Sequence, residues 1–442
     1  MNKRLSKGEV LSLGLMLFSI FFGAGNLIFP PALGQAAGTD LLPAMAGFLI
    51  TGVGLPLMGV LAIGLAGGSY IKLMSEKVHP KFTVALLVVL NLTIGPLFAI
   101  PRTGAVSFEV GIRSFTGDAY SGLAQFAYTL LFFGVTYFLA LNPNKIVDRV
   151  GKILTPVLLF FMAILFIQVF INPLGSFGQP VGQYVNEPFF KGFQEGYLTM
   201  DLLAFIAIGA IVINSIKNKG ITAPHQVGKL CIIAGIISAV LMSLVYVCLA
   251  YLGATSASTL GQSENGGIIL SSVANIYFSH TGSIILAVII SFACLTTSCG
   301  LASSCAWYFN KLSNGKLKYN HLLLAIIAFS MAAANIGLTG LINISVPFLV
   351  ALYPVIIVLV ILSLINPFFT LSNSVYRWSL GLTLAFSIFD GLNAANIKIG
   401  FINTLFSQYI PFYAVNLGWI MPALVGIMIG WLLSKATKSI NF

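Results

Sequence analysis

Phe21–Pro31, FFGAGNLIFPP, decides how this chain is read. It sits inside residues 10–39, which carry no charged side chain and read as one membrane span. The span is cut by Gly23-Ala24-Gly25-Asn26 and followed by Pro30-Pro31. In lipid, a backbone N–H or C=O without a partner is costly, so a span should be continuous helix. A helix interrupted at mid-depth is the best sequence pointer to the midplane site of a secondary transporter. The plainer alternative is a glycine packing face or a simple kink.

Composition places the remainder of the chain in the same setting. Of 442 residues, 58% are hydrophobic and 7% charged, against roughly 25% charged in soluble domains. A soluble chain this apolar has no means of making a surface, and one membrane domain is expected. The cysteines at 231, 248, 294, 299 and 305 fall in or at the ends of apolar runs without metal spacing. They read as small buried residues, not disulfides or metal ligands. Met1 to Lys7 is basic and leads into the first span with no small-residue cleavage site, which reads as a retained helix and not a signal peptide.

A bilayer crossing needs about 20 apolar residues. Counting such runs gives twelve spans, near 9–35, 41–67, 83–112, 121–141, 152–172, 195–216, 228–253, 281–309, 320–340, 345–366, 375–390 and 410–434. Twelve crossings put both ends on one side, and the basic residues then sort. Those preceding span 1, after spans 2, 4, 6, 8 and 10, and at the end of the chain account for 18 of 22 Lys and Arg. The positive-inside rule makes that face cytoplasmic, with both termini on it. The net charge of +11 is thus topogenic, and no nucleic-acid partner is expected. Arg102, Arg113, Lys191 and Lys398 remain; three suit external loops, while Arg102 lies inside span 3. The longest external segment, 173–194, is the seam between two five-span halves. A second, 254–280, is rich in Ser, Thr and Gly, and Ile268 to Phe278 reads as a short external helix.

Ionisable residues inside spans mark function by default. Arg102 and Glu109 stand two helical turns apart, on one face but too distant to pair directly. Arg102 reads as facing or gating a wet cavity, or else as an internal ion pair or a snorkelling guanidinium. Glu109, near the outer end, reads as structural. Asp201 has no basic residue within a turn, so it carries a proton or meets a cation or ammonium group. The alternative is an N-cap near the surface, with span 6 starting later. Span 8 holds Thr296-Thr297-Ser298, hydroxyls that usually bond to their own helix or to a neighbour. Paired with carbonyls at the span 1 break, two of them make an all-oxygen site for a small hard cation. The histidines lie in loops or at span ends, without nucleophile–base spacing, so no enzyme is read. A Walker A loop, a selectivity-filter sequence and an Arg-rich sensor are also lacking, which removes ATP and channel readings.

FFGAGNLIFPP, together with Gly95–Glu109 (GPLFAIPRTGAVSFE), Gly196–Asp201 (GYLTMD) and Ile344–Pro354 (ISVPFLVALYP), resembles the branched-chain amino acid:cation symporter family, the BrnQ-type carriers. The resemblance runs over essentially the whole chain. It implies an all-α membrane protein of the LeuT-type fold: two inverted five-helix repeats, about 9–172 and 195–366, plus extra helices at about 375–434. Helices 1 and 6 would be broken at mid-membrane. Members are bacterial inner-membrane carriers of leucine, isoleucine and valine driven by sodium or protons.

The same resemblance implies site residues. The substrate carboxylate would meet amides at Gly23, Ala24, Gly25 and Asn26, where a half-helix begins with free N–H groups and a positive dipole end. The ammonium group would meet carbonyls near Met200, Leu202 and Leu203, with help from Asp201, and Phe205 would line an apolar side-chain pocket. Sodium would take carbonyls of Ser19, Phe22 and Cys294 and hydroxyls of Thr297 and Ser298. A second sodium site is doubtful, since span 7 offers no asparagine. The expectation is sodium-coupled uptake of branched-chain amino acids with no obligatory protein partner. The alternatives are proton coupling through Asp201 and a sensor that binds without transport.

Overall fold

A computed structural model describes residues 5–65, 70–113, 121–141, 143–397 and 399–440. Lys398 and the basic pair Lys3 and Arg4 lie outside them. The described residues are helical, joined by short turns. The chain opens with α1 (Lys7–Phe21), whose start is fixed by a capping box between Ser6 and Glu9. After a two-residue gap α2 (Ala24–Ala37) follows, then α3 (Leu41–Leu49) and α4 (Leu55–Leu65), joined by a π-turn at Ile50–Gly54. Next come α5 (Tyr70–Lys77), α6 (Pro80–Leu92), α7 (Ala99–Gly111), α8 (Ser121–Ala140) and α9 (Pro143–Ile171). The second part holds α10 (Pro188–Glu195), α11 (Phe205–Asn218), α12 (Pro224–Leu260), α13 (Gly266–Leu312), α14 (Tyr319–Ala334) and α15 (Leu338–Phe369). The chain closes with α16 (Asn373–Ala394), α17 (Gly400–Tyr409) and α18 (Ile420–Ile440).

Among the described residues, six helical runs are long and apolar enough to cross a bilayer unaided, and three shorter apolar helices accompany them. Large apolar side chains such as Leu42, Leu131, Phe138, Phe160 and Phe368 stand on the outside, as lipid-facing residues do. One feature departs from the sequence reading. Span 3 is not one helix: α6 and α7 are separated at Thr93–Leu97, where Gly95 leaves helical geometry and Pro96 has no N–H to donate. The Ile268 to Phe278 stretch forms a short helix of its own ahead of span 8, as the sequence reading has it, divided from the long helix at Ser279 (φ 53°).

The central helices meet at backbone distance. A β-carbon on Gly34 would lie 1.9 Å from the Ala250 carbonyl oxygen, and one on Gly253 would lie 2.0 Å from that of Pro31. Gly266 stands likewise against Ile28, at 1.8 Å. α2 is thus clamped between α12 and the start of α13. α10 crosses α3 in the same manner, through Gly192 against Ala44 and Gly47 against Phe189. Small residues let helix backbones approach closely where packing, rather than water exclusion, drives association. This close packing brings the α1–α2 gap, the turn before α11 and the middle of α13 into one neighbourhood.

Candidate functional site

The site is built on two chain interruptions. α1 ends at Phe21; Phe22 and Gly23 are extended, and the Gly23 amide turns to Asn26 Oδ1 at 2.9 Å. The amides of the first turn of α2 point into this gap, because a helix start leaves its leading N–H groups without intrahelical partners. The second interruption follows α10. A 3-10 turn over Gly196–Thr199 leads to Met200 in the left-handed region (φ 64°), and irregular turns continue to Ala204 before α11 starts at Phe205. A side chain at positive φ is uncommon outside glycine and marks a segment held by its surroundings.

Asn26 joins the two. Its Nδ2 donates to Asp201 Oδ2 at 2.7 Å and also to the Tyr246 hydroxyl. Tyr246, on α12, donates to the same Asp201 oxygen at 3.4 Å. Asn26, Asp201 and Tyr246 are all buried. Asp201 is therefore neither a surface N-cap nor without partners: α11 begins four residues later, capped at Ala204, and the carboxyl accepts from two neutral donors. No basic group pairs with it among the described residues.

Arg102 extends the same cluster from α7. It is 2% exposed, so it neither snorkels nor lines open water. Nη1 donates to the Leu198 carbonyl at 2.5 Å and Nη2 to Ser345 Oγ of α15 at 3.2 Å. The guanidinium lies 4.9 Å over the Phe29 ring of α2. It shares no partner with Glu109, which pairs with Arg113 and accepts from Asn265 Nδ2 at 3.3 Å. The internal ion pair weighed for Arg102 is therefore absent.

Span 8 faces the first interruption. A β-carbon on Gly23 would lie 3.6 Å from Thr297 Cγ2 and 3.8 Å from Thr297 Oγ1. Thr297 Oγ1 donates to Ala293 O at 3.1 Å, leaving its lone pairs available. Ser298 Oγ is buried with no hydrogen-bond partner. Cys294 is buried one turn below, and Ser19 and Phe22 lie at the end of α1. Thr297 thus brings a hydroxyl to the α1–α2 gap, and its chain neighbour Ser298 has a buried hydroxyl without a hydrogen-bond partner among the described residues.

The structure thus draws Gly23, Ala24, Gly25, Asn26, Asp201 and Thr297 together, with Arg102 at their edge. Met200, Leu202 and Leu203 form the buried turn around Asp201. Phe205 makes its close contacts elsewhere, with Gly59 and edge-on to Tyr70. Sequence reasoning missed Tyr246, Ser345 and a further buried carboxyl, Asp390 on α16. Tyr246 and Ser345 look like ordinary residues of apolar helices. Asp390 had a usable signal, an acid at the end of an apolar run.

A family model described as "Branched-chain amino acid transport protein" matches residues 6–437. The chain belongs to that family. It is 45% identical to the branched-chain amino acid permease BraB of Bacillus subtilis over 434 residues, covering 98% of this chain and 97% of that one. It is 44% identical to the permease BrnQ of the same organism over 434 residues, covering 98% of each. Among solved structures it resembles MhsT in complex with L-phenylalanine, with a TM-score of 0.54 and 15% identity over 98% of this chain and 99% of that one. At that identity the likeness speaks for the fold alone, an all-helical architecture like that of MhsT. The protein is a transporter and not an enzyme.

Proposed function

We propose that the protein is a sodium-coupled symporter that brings leucine, isoleucine and valine into the cell by alternating access. One observation carries the reading: Asn26, in the first turn of α2, bonds Asp201 in the turn before α11. The two interruptions therefore form one site, with helix amides on one side and a buried carboxyl on the other. Amides at a helix start favour an anion, and a carboxyl favours an ammonium group, so the site matches a zwitterion. The relatives BrnQ and BraB are branched-chain amino acid permeases, which fits the apolar residues around the turn.

In this reading the chain crosses a bacterial inner membrane twelve times, with both termini cytoplasmic and helices 1 and 6 broken at mid-depth. The first repeat runs from about 9 to 172 and the second from about 195 to 366. Gly23, Ala24, Gly25 and Asn26 take the carboxylate, and the Met200–Leu203 turn with Asp201 takes the ammonium group. Ser19, Phe22, Cys294, Thr297 and Ser298 hold the sodium ion. The orphaned Ser298 hydroxyl favours this site. A second reading, proton coupling, is favoured by the neutral donors around Asp201.

The test is uptake of labelled isoleucine into proteoliposomes under an inward sodium gradient or, separately, an inward proton gradient. Accumulation under sodium alone supports the α1–α13 cation site. Accumulation under protons alone moves the coupling role to Asp201. Binding without accumulation under either gradient refutes the symporter reading and leaves a sensor.

A further inference from the structure

We propose that Arg102 is the counter-ion of the substrate's α-carboxylate. This rests on the reading that the transported substrate is an amino acid.

The guanidinium is buried, and among the described residues no carboxylate lies within 4.0 Å of it. It carries five N–H donors in a fixed fork. One goes to the Leu198 carbonyl and one to Ser345 Oγ, while Nε has no partner at all. A buried cation held only by neutral acceptors is costly unless an anion completes it. The guanidinium packs against the start of α2, beside the Phe29 ring. A β-carbon on Gly25 would lie 3.4 Å from Arg102 Nη1 and 3.5 Å from the Leu198 carbonyl oxygen. The guanidinium therefore flanks the first turn of α2, whose amides are themselves the positive end of a helix dipole. Two positive groups therefore lie side by side, with no carboxylate within 4.0 Å of the guanidinium among the described residues.

The negative group of the site lies on the other side of the same turn. Gly25 faces Arg102 while its neighbour Asn26 bonds Asp201. A fixed cation and a fixed carboxyl are thus separated by one residue of α2 and do not pair. The ligand class that satisfies both is a molecule with a carboxylate and an ammonium on one carbon. Arg102 would act here as a specificity residue: it selects α-amino acids against amines of the same side chain. An arginine suits this role better than a lysine, because its fork keeps its hold on Leu198 and Ser345 while a further edge addresses the ligand.

The experiment compares isoleucine with isoleucine methyl ester, which keeps the ammonium group and side chain and loses the anionic charge. Both displace labelled isoleucine from the purified full-length protein, wild type and Arg102→Gln. The wild type is expected to prefer the acid over the ester by about 100-fold, and Arg102→Gln by less than about fivefold, through weaker binding of the acid alone. Ser345→Ala keeps the charge but releases one arm of the fork, and is expected to lower the preference by about two- to fivefold. This variant serves if Arg102→Gln does not fold. An unchanged acid-to-ester ratio in the folded variants overturns the proposal, as does equal weakening of acid and ester. Normal binding with lost uptake also overturns it, and makes Arg102 a gate. If the wild type binds no isoleucine at all, the amino acid reading itself fails, and the ratio is never reached.

Discussion

Asn26→Ala tests the join between the two interruptions most directly. The asparagine side chain makes three contacts: its Oδ1 accepts from Gly23, and its Nδ2 donates to Asp201 and to Tyr246. Removal leaves Asp201 only the neutral hydroxyls of Tyr246, at 3.4 Å, and Thr199. A net loss of about 1 kcal/mol is expected for a neutral bond, and about 1.5–3 kcal/mol where a charged group is involved. The Gly23 contact is short-range and partly replaceable by rearranged backbone. The Asp201 contact is not, because no other side chain amide lies in the cluster. A total near 2–3 kcal/mol follows, which is about 30- to 150-fold in an equilibrium constant. The assay is equilibrium binding of labelled isoleucine at saturating sodium, with initial uptake rates in parallel. The affinity is expected to fall by at least about tenfold, with the half-saturating sodium concentration moving less. A change under about threefold in a folded variant would refute the claim that the two interruptions form one site.

Other outcomes follow from individual contacts. Thr297→Ala and Ser298→Ala should each raise the half-saturating sodium concentration of uptake by about tenfold while leaving isoleucine affinity at saturating sodium within about twofold. Tyr246→Phe removes only a hydroxyl and should cost about 1 kcal/mol of substrate affinity, read in the same binding assay. Gly253→Val puts side-chain atoms where a β-carbon already lies 2.0 Å from the Pro31 carbonyl; a lower melting temperature in detergent and little folded protein are expected. Asp390 is fully buried, its carboxyl facing the Gly418–Trp419 backbone. Asp390→Asn keeps the shape and should shift the melting temperature less than Asp390→Ala, which leaves a cavity and should lower it.

The parts of the site that were legible in the sequence are those that offend the rules of a membrane span. Gly23, Gly25 and Asn26 break an uncharged run, Arg102 and Asp201 bring charge into one, and Thr297-Ser298 brings hydroxyls. Each is visible because the surrounding composition is so uniform. What stayed hidden is pairing. Tyr246 meets Asn26 across 220 residues of chain, and Ser345 meets Arg102 across 243. Local sequence carries no trace of either contact. The interruption at Gly95-Pro96 was different: its signal stood in the open, but the apolar count ran straight through it.

The glycine crossings have a mechanical consequence. Where backbone rests on backbone, as at Gly34 on Ala250 and Gly253 on Pro31, there is no side-chain cushion to compress or re-pair. α2 therefore cannot slide along α12; the two can only travel as a solid piece, as can α10 with α3. Compliance is left to the breaks in regular helix, among them Phe22–Gly23 and the turn from Met200 to Ala204. These are also the places where the substrate and the ion are proposed to bind. A ligand seated there grips the two hinges of the machine rather than its levers, so occupancy and motion are governed by the same few peptide groups.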